Sequence, residues 1–343
     1  MSPTCTTGSD SSRRPTLKCR KSSVLPIRQP DFQPLSVIIP TKDRPACLEH
    51  AVTQILAQTV LPSQLIIVDQ SATNESRRRV EALFAADAST DRQGVRLCYI
   101  HEPTIPGAAV ARNRAMATAD GHVWLFLDDD MEPEQEFIEA LLTVYARWPS
   151  IGGVSGIITN YSRPSWAFRI WSWVFLQGPF YDERQPIYWR ANHLRNGDPI
   201  PVTKFGSGLM SFRADVVRDI RFDESLRGLP PGEDIDFCVR LEPRTSLVIA
   251  PQARIAHQPS PTGRSKGYWI KEYAQGKLYV YHRNWQWGLH NRLCCLWFEV
   301  GCALAATLAS LRRGSLGPWR AFLDGVREAR SLATPAYSRP AQP

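Results

Sequence analysis

Val123-Trp124-Leu125-Phe126-Leu127 runs directly into Asp128-Asp129-Asp130. An unbroken apolar run of this length reads as a strand buried on both faces, the kind found inside a parallel sheet. Adjacent carboxylates then follow where such a strand reaches the edge of its sheet. Like charges this close repel, and partial desolvation raises the cost. A bound divalent cation removes that cost, and oxygen-rich ligands suit magnesium or manganese. The alternative is an acidic turn that caps the next helix. Pro133 has the character of a first helical residue, and Asp130 or Glu132 could cap a helix over 134–147. A cap needs one oxygen rather than a row of carboxylates, which favours the cation.

The preceding chain supplies the sheet. Strands are expected at Leu35–Ile39, ended by Pro40, at Leu65–Val68 and at Val95–Ile100, with Val123–Leu127 the fourth. Helices are expected between them: one carries Leu48, Val52, Ile55 and Leu56, one covers Glu75–Ala86, and one is opened by Gly107 and Ala108. Strands alternating with helices of this length imply right-handed βαβ units and a parallel sheet. Ligands of such sheets bind beyond the carboxyl ends of the strands. Thr41, Asp43 and Arg44, then Asp69, then Asp128–Asp130 all fall there. Ordinary polar loops would look similar one at a time, but several strand ends converging on one crevice is a stronger signal. Neither GxGxxG nor GxxxxGK[ST] follows the first strand, which argues against a dinucleotide oxidoreductase and a P-loop kinase.

The ordered set Ser36-Val37-Ile38-Ile39-Pro40-Thr41, Val68-Asp69, Gly107 with Ala111-Arg112-Asn113, and Leu127-Asp128-Asp129-Asp130 with Pro133 resembles the family-two glycosyltransferases. The resemblance spans about residues 35–260. It implies the GT-A fold: an α/β chain with a Rossmann-like, mostly parallel central sheet, helices on both faces, and here a C-terminal helical extension. It also implies an inverting transfer from a nucleotide-diphospho-sugar donor, assisted by a divalent cation, manganese or magnesium. On this reading Thr41, Asp43, Arg44, Asp69, Arg112 and Asp129 line the nucleotide pocket. Asp128 and Asp130 hold the metal, and His257, which follows the apolar run Ile255-Ala256, joins them. Asp234, in Glu233-Asp234, is the general base that takes the acceptor hydroxyl's proton. The chain departs from the family at Asp69-Gln70-Ser71, where many members have Asp-Asp-Gly-Ser, and at Asp43, where Asn is frequent.

The second half reads less regularly. Ile151–Thr159 is a glycine-bearing strand, and Phe205–Phe212 another, whose Gly206, Ser207 and Gly208 leave room for a sugar against the backbone, with Glu233 on the acceptor side. Glu233, Asp234 and Asp236 crowd one helical first turn, where dipole complementation needs only one acid. Between them Trp166, Trp171, Trp173, Phe180 and Trp189 mix with Arg163, Arg169, Arg184, Arg190 and Arg195. That mixture suits sugar stacking, a membrane interface, or a subdomain packed on its own aromatics. Leu293–Leu311 is nearly long enough to span a bilayer, but Glu299 would cost roughly 2.5–3.5 kcal/mol at its centre. An amphipathic helix is expected instead, with its apolar stripe (Leu293, Leu296, Trp297, Val300, Leu304, Leu308 and Leu311) packed on the domain or lying in a membrane interface.

The expected organisation is a disordered basic tail over 1–33, a nucleotide-sugar-binding half over 34–150, an acceptor-binding and catalytic-base half over 151–265, and a helical, membrane-associated extension over 266–343. A net charge of +8 fits anionic partners, and without any nucleic-acid-binding signature no nucleic acid is expected among them. The cysteines form no CxxC pair, which fits a reducing compartment, and the N-terminus has no apolar secretory core. The expected location is cytoplasmic, at the inner face of the membrane, and the expected acceptor is a hydroxyl on a sugar or a lipid-linked glycan. Competing readings are a sugar-nucleotide pyrophosphorylase, which Thr41–Pro45 disfavours by lacking glycines, and a non-catalytic peripheral membrane protein.

Overall fold

The computed structural model describes residues 32–87, 94–206, 208–226, 232–259, 269–284 and 288–332. Ser207 and the basic tail up to residue 31 lie outside them. The strands are β1 (Leu35–Thr41), β2 (Gln64–Asp69), β3 (Arg96–His101), β4 (Val123–Leu127), β5 (Met131–Pro133), β6 (Ile151–Ile158), β7 (Ile200–Val202), β8 (Leu209–Arg213) and β9 (Ser246–His257). The helices are α1 (Pro45–Leu56), α2 (Glu75–Asp87), α3 (Ala108–Met116), α4 (Phe137–Arg147), α5 (Trp166–Phe175), α6 (Arg184–Trp189), α7 (Ala214–Val217), α8 (Glu233–Leu241), α9 (Trp269–Asn284), α10 (Leu289–Arg313) and α11 (Gly317–Leu332).

One sheet runs through the fold in the order β3-β2-β1-β4-β8-β6-β9-β5, with β7 also on β9. The first four strands pair in parallel. β8 then runs antiparallel to β4 and β6, and joins the N-terminal block to the second half. Alternation along each strand sorts its side chains between two cores. Val37, Ile39, Leu65, Ile67, Leu125 and Leu127 pack with α1 and α4. Ile38, Ile66, Val68, Trp124 and Phe126 pack with α3 and α8 on the other face. Covered on both sides, these strands have no polar face to show, so the uninterrupted apolar runs follow.

The boundaries differ from expectation in three instructive places. Pro40 does not end β1 but lies within it, opposite Val68, so Thr41 pairs with Asp69 at the carboxyl edge. Proline removes one donor from the ladder and leaves the extended backbone intact. Pro133 does not start a helix. It belongs to β5, which pairs antiparallel with the end of β9, and α4 begins only at Phe137 with no side-chain cap. An edge strand tolerates proline, and the acids before it are therefore not the cap of α4. The strand expected from Phe205 starts at Leu209, whose amide donates to the Gly206 carbonyl at 3.1 Å.

The C-terminal helices form a third core around Tyr279, Leu278, Phe298 and Cys302, closed by Phe180 and Ile235. Here one of the two expected placements of the α10 stripe is corrected: it does not pack on the domain. α10 packs through Cys294, Phe298, Gly301, Cys302 and Ala306, whereas Leu293, Leu296, Trp297, Val300, Leu304, Leu308 and Leu311 are all exposed. The larger apolar stripe faces outward because small residues allow the closer approach: a Cβ on Gly301 would stand 2.4 Å from the Phe175 ring.

Gly156 marks a register shift in β6, where a Cβ would meet the Ala253 carbonyl oxygen at 2.4 Å and the Phe137 ring at 2.9 Å. Backbone cannot yield as a side-chain end can. Gly156→Ala is expected to destabilise the fold by about 1–3 kcal/mol, read as a lower urea midpoint with an unchanged m-value.

Candidate active site

Three loops converge at the carboxyl edge of the parallel strands. Thr41, at the end of β1, donates to Asp129 Oδ2 at 2.6 Å, and Arg44 Nη1 donates to Asp129 Oδ1 at 3.0 Å. Arg44 also stands 3.5 Å from Asp130. Burial pushes the Asp129 carboxyl up to about 6, against the Thr41 hydrogen bond and the Arg44 charge, and with the neighbouring aspartates adding to the rise. Asp43 has a positive φ of 54°, a left-handed conformation that suits Asp or Asn. From there its amide donates to Ser71 Oγ and its carboxylate accepts from the Ala72 amide, stitching the loops after β1 and β2 together. Asp69 is fully buried and fully used: Oδ1 accepts from the Ser71 amide and Oδ2 from Tyr99. Gln70 accepts from the Gly107 amide at 3.0 Å, fixing the entry to α3.

Two neighbours of Asp129 face different partners. Asp130 Oδ1 lies 3.4 Å from His257 Nε2, because β5 and β9 pair Met131 with His257. Asp128 Oδ1 accepts from Arg112 Nη2 at 2.9 Å, and Asp128 Oδ2 would stand 3.0 Å from a Cβ on Gly208. The lack of a side chain at Gly208 is what lets its backbone, just before β8, lie against the acid. Carboxylate oxygens beside an imidazole are a donor set that fits manganese or magnesium. A tighter grouping, His282, Cys295 and Glu299, occurs among the C-terminal helices, with ligand atoms within 4.8 Å of one another. It suits a cation poorly: Arg330 already holds Glu299 at 2.8 Å, and burial pushes the Cys295 thiol up to about 12.

Arg112 is the junction of the cleft. Only 2% exposed, it reaches Asp128 with one amino group and Glu233 with the other. The first turn of α8 is thereby drawn onto the end of β4. The adjacent Asp234 is 3% exposed, and its Oδ1 has no hydrogen-bond partner among the described residues. Burial pushes Asp234 above the usual aspartate range, and the Arg184 charge opposes that. Burial likewise raises Glu233, with Arg112 opposing. Asp236, expected as a third acid of the same turn, points elsewhere. It accepts from Asn284 on α9 at 3.0 Å and pairs with Arg240.

Arg184 was legible in the sequence only as one arginine in an aromatic segment. Its Nε and Nη2 are held by Asp182 at 2.8 and 2.9 Å, while Nη1 would stand 3.2 Å from a Cβ on Gly206. Although burial pushes Asp182 up, Arg184 holds it below the usual carboxylate range. Asn113 serves structure: it donates to the Phe222 carbonyl and to Glu224 and accepts from the Phe222 amide, pinning that loop against α3.

Residues 36–216 match the model of glycosyl transferase family 2. The chain belongs to that family. Among curated relatives of this family-2 chain, O-antigen biosynthesis protein RfbC of Myxococcus xanthus is 25% identical over 277 residues, 73% of this chain and 19% of that protein. Pre-mycofactocin glycosyltransferase of Mycobacterium tuberculosis is 25% identical over 66% of this chain and 43% of its own length. The matches therefore span less than half of either relative. The fold is that of the GT-A glycosyltransferases. S. aureus TarS superposes with a TM-score of 0.56 at 14% identity, covering 88% of this chain and 81% of the other. The mannosyltransferase PcManGT of Pyrobaculum calidifontis, solved with GDP-Man and Mn2+, gives 0.51 at 17% identity, over 89% and 86%.

Removing the Arg112 charge leaves the largely buried Glu233 carboxylate without its cation, beside the partly exposed Asp128. Arg112→Met is expected to cost about 3–5 kcal/mol at neutral pH, measured by denaturant unfolding. Arg112→Met combined with Glu233→Gln should recover part of that loss.

Proposed function

We propose that this family-2 chain transfers a sugar from a nucleotide-diphospho-sugar to a hydroxyl acceptor with inversion, Asp234 acting as the general base. The observation that carries the reading is the Arg112 guanidinium shared by Asp128 and Glu233, which brings the acids of α8 and of the β4 end to one cleft. Thr41, Arg44 and Asp129 form the wall for the nucleotide, with Asp43 and Asp69 shaping the loops behind it. Asp130 and His257, with Asp128 beside them, would hold the divalent cation, which when bound neutralises charge on the departing diphosphate. The manganese found with the solved mannosyltransferase supports a cation of that kind.

Asp234 suits proton abstraction for a physical reason. An unpartnered carboxylate oxygen in a dry site is a stronger base than one in water, and it costs the fold stability while ionised. Arg184 limits that cost and keeps the group ionisable. Gly206, beside Arg184, would leave room for the transferred sugar, whereas the place of a Cβ on Gly208 is taken up by Met131 and Asp128. Relatives named for O-antigen and teichuronic acid biosynthesis favour a cell-envelope glycan, on a sugar or lipid carrier, as the acceptor, made at the cytoplasmic face of the membrane.

In a thermal-shift panel of UDP-, GDP-, dTDP- and CDP-sugars with and without manganese, one donor raises the melting temperature, and more so with the metal, because ligand binding stabilises by mass action. With that donor, turnover releases a nucleoside diphosphate; release of pyrophosphate instead would point to a pyrophosphorylase. Asp234→Asn should lower turnover at least about 10²-fold while keeping or raising the melting temperature at neutral pH. The sign follows from the raised pKa: ionised Asp234 opposes folding above the unfolded pKa, so removing the charge relieves the fold. For the same reason the acid limb of the wild-type pH–rate profile should lie above the ordinary aspartate range of about 4. Near-wild-type turnover by Asp234→Asn would refute the base assignment.

A further inference from the structure

α5 and α10 together present an apolar surface that none of the described residues covers. Leu293, Leu296, Val300, Leu304, Leu308 and Leu311 lie along one face of α10 at three- and four-residue spacing, and every one is exposed. α5 adds Trp166, Ile170 and Trp173 at the same spacing, and two of these are about three-quarters exposed (Trp166 74%, Trp173 78%). The two stripes adjoin at Trp297, whose indole donates to the Val174 carbonyl at 2.8 Å. A helix whose larger apolar side chains face outward, while cysteine, glycine and alanine face inward, is not explained by packing of its own domain. Contiguous exposed apolar surface of this extent marks an interaction site.

Charge selects the occupant. In these two helices the ionised residues are Arg169, Arg292, Arg312 and Arg313 against a single acid, Glu299. Glu299 is held by Arg330 at 2.8 Å, whereas Arg169, Arg292, Arg312 and Arg313 are all exposed. A second copy of the chain would bring arginines against arginines. Anionic lipid headgroups would neutralise them, with leucines in the acyl boundary and tryptophans at headgroup depth. α10 is long and apolar enough to cross a membrane by length and composition. It is nonetheless held lengthwise on the protein by Phe298, Cys302 and Ala306, and by the Glu299–Arg330 pair. Lying flat, its stripe extends about 27 Å.

We propose that the α5–α10 face docks this chain on an anionic lipid bilayer, with α10 lying in the plane of the interface rather than spanning it. α10 packs on α9, and Asn284 of α9 donates to Asp236 of α8, two residues beyond Asp234. The docking face is thus joined by packed helices to the helix of the catalytic cleft, which suits an acceptor carried on a lipid. Docking itself needs nothing from the transferase chemistry; the delivery of a lipid-carried acceptor rests on it.

The test is co-sedimentation of the full chain with vesicles of phosphatidylcholine alone or mixed with phosphatidylglycerol. Binding to the mixed vesicles is expected, weakening with salt, and at least about tenfold stronger than to phosphatidylcholine. The variant Trp173→Ser/Leu296→Gln/Leu304→Gln removes exposed side chains only, so its melting temperature should be unchanged while its partition falls at least about tenfold. Arg312→Gln/Arg313→Gln should flatten the salt dependence. Failure of the wild-type chain to bind mixed vesicles, or equal binding by the triple variant, would overturn the proposal. So would a wild-type dimer that the triple variant converts to monomer, since the face would then belong to a second copy. Vesicle binding without stabilisation by any nucleotide-sugar would leave docking standing and remove the transferase reading.

Discussion

A single buried guanidinium holds the working parts of this fold together. Arg112 takes Asp128 on one side and Glu233 on the other, and it is sealed from water as it does so. In a low-dielectric site neither the cation nor the two anions could remain alone at reasonable cost. The pairing therefore fixes α3, the end of β4 and the start of α8 with respect to one another. A cleft built this way has acids from distant parts of the chain on one surface, with one of them, Asp234, left without a partner for its buried Oδ1 among the described residues.

The rest of the structure can be read as support for that cleft. Two cores on opposite faces of the sheet keep β1, β2 and β4 extended up to their carboxyl ends, so the loops start from a rigid edge. β5 is short, but its pairing with β9 brings His257 to Asp130. Asp236 and Asn284 tie α8 to α9, and a third core then ties α9 to α10 and α11. Most of the exposed large apolar side chains lie on α5 and α10.

Much of this was legible in the sequence, because period-two burial on both faces leaves continuous apolar runs, and strand ends in a parallel sheet point to one crevice. The four N-terminal strands and the polar residues after them could be read off directly. Boundaries were less legible where tertiary pairing overrides local preference: Pro133 reads as a helix start until β9 supplies a partner strand. The direction of α10 was hidden for a related reason. Its leucine stripe carries the stronger apolar signal, but closeness of approach, set by Gly301 against Phe175, decides which face packs. Asp43 was visible as a substitution for the usual Asn, and its left-handed backbone explains why the two interchange there. Arg184 carried no signal, since nothing in its spacing foretells that a separate segment will set it beside Gly206.

The central claim is that an acid from α8 and the acids at the end of β4 work on opposite sides of one transferred sugar. Proton NMR of the product's anomeric centre, recorded early in turnover with a donor of known configuration, tests it directly. In-line attack by a hydroxyl activated at Asp234 predicts the opposite anomer to that of the donor. A product that keeps the donor's configuration would contradict the account, because a single displacement across this cleft cannot retain it.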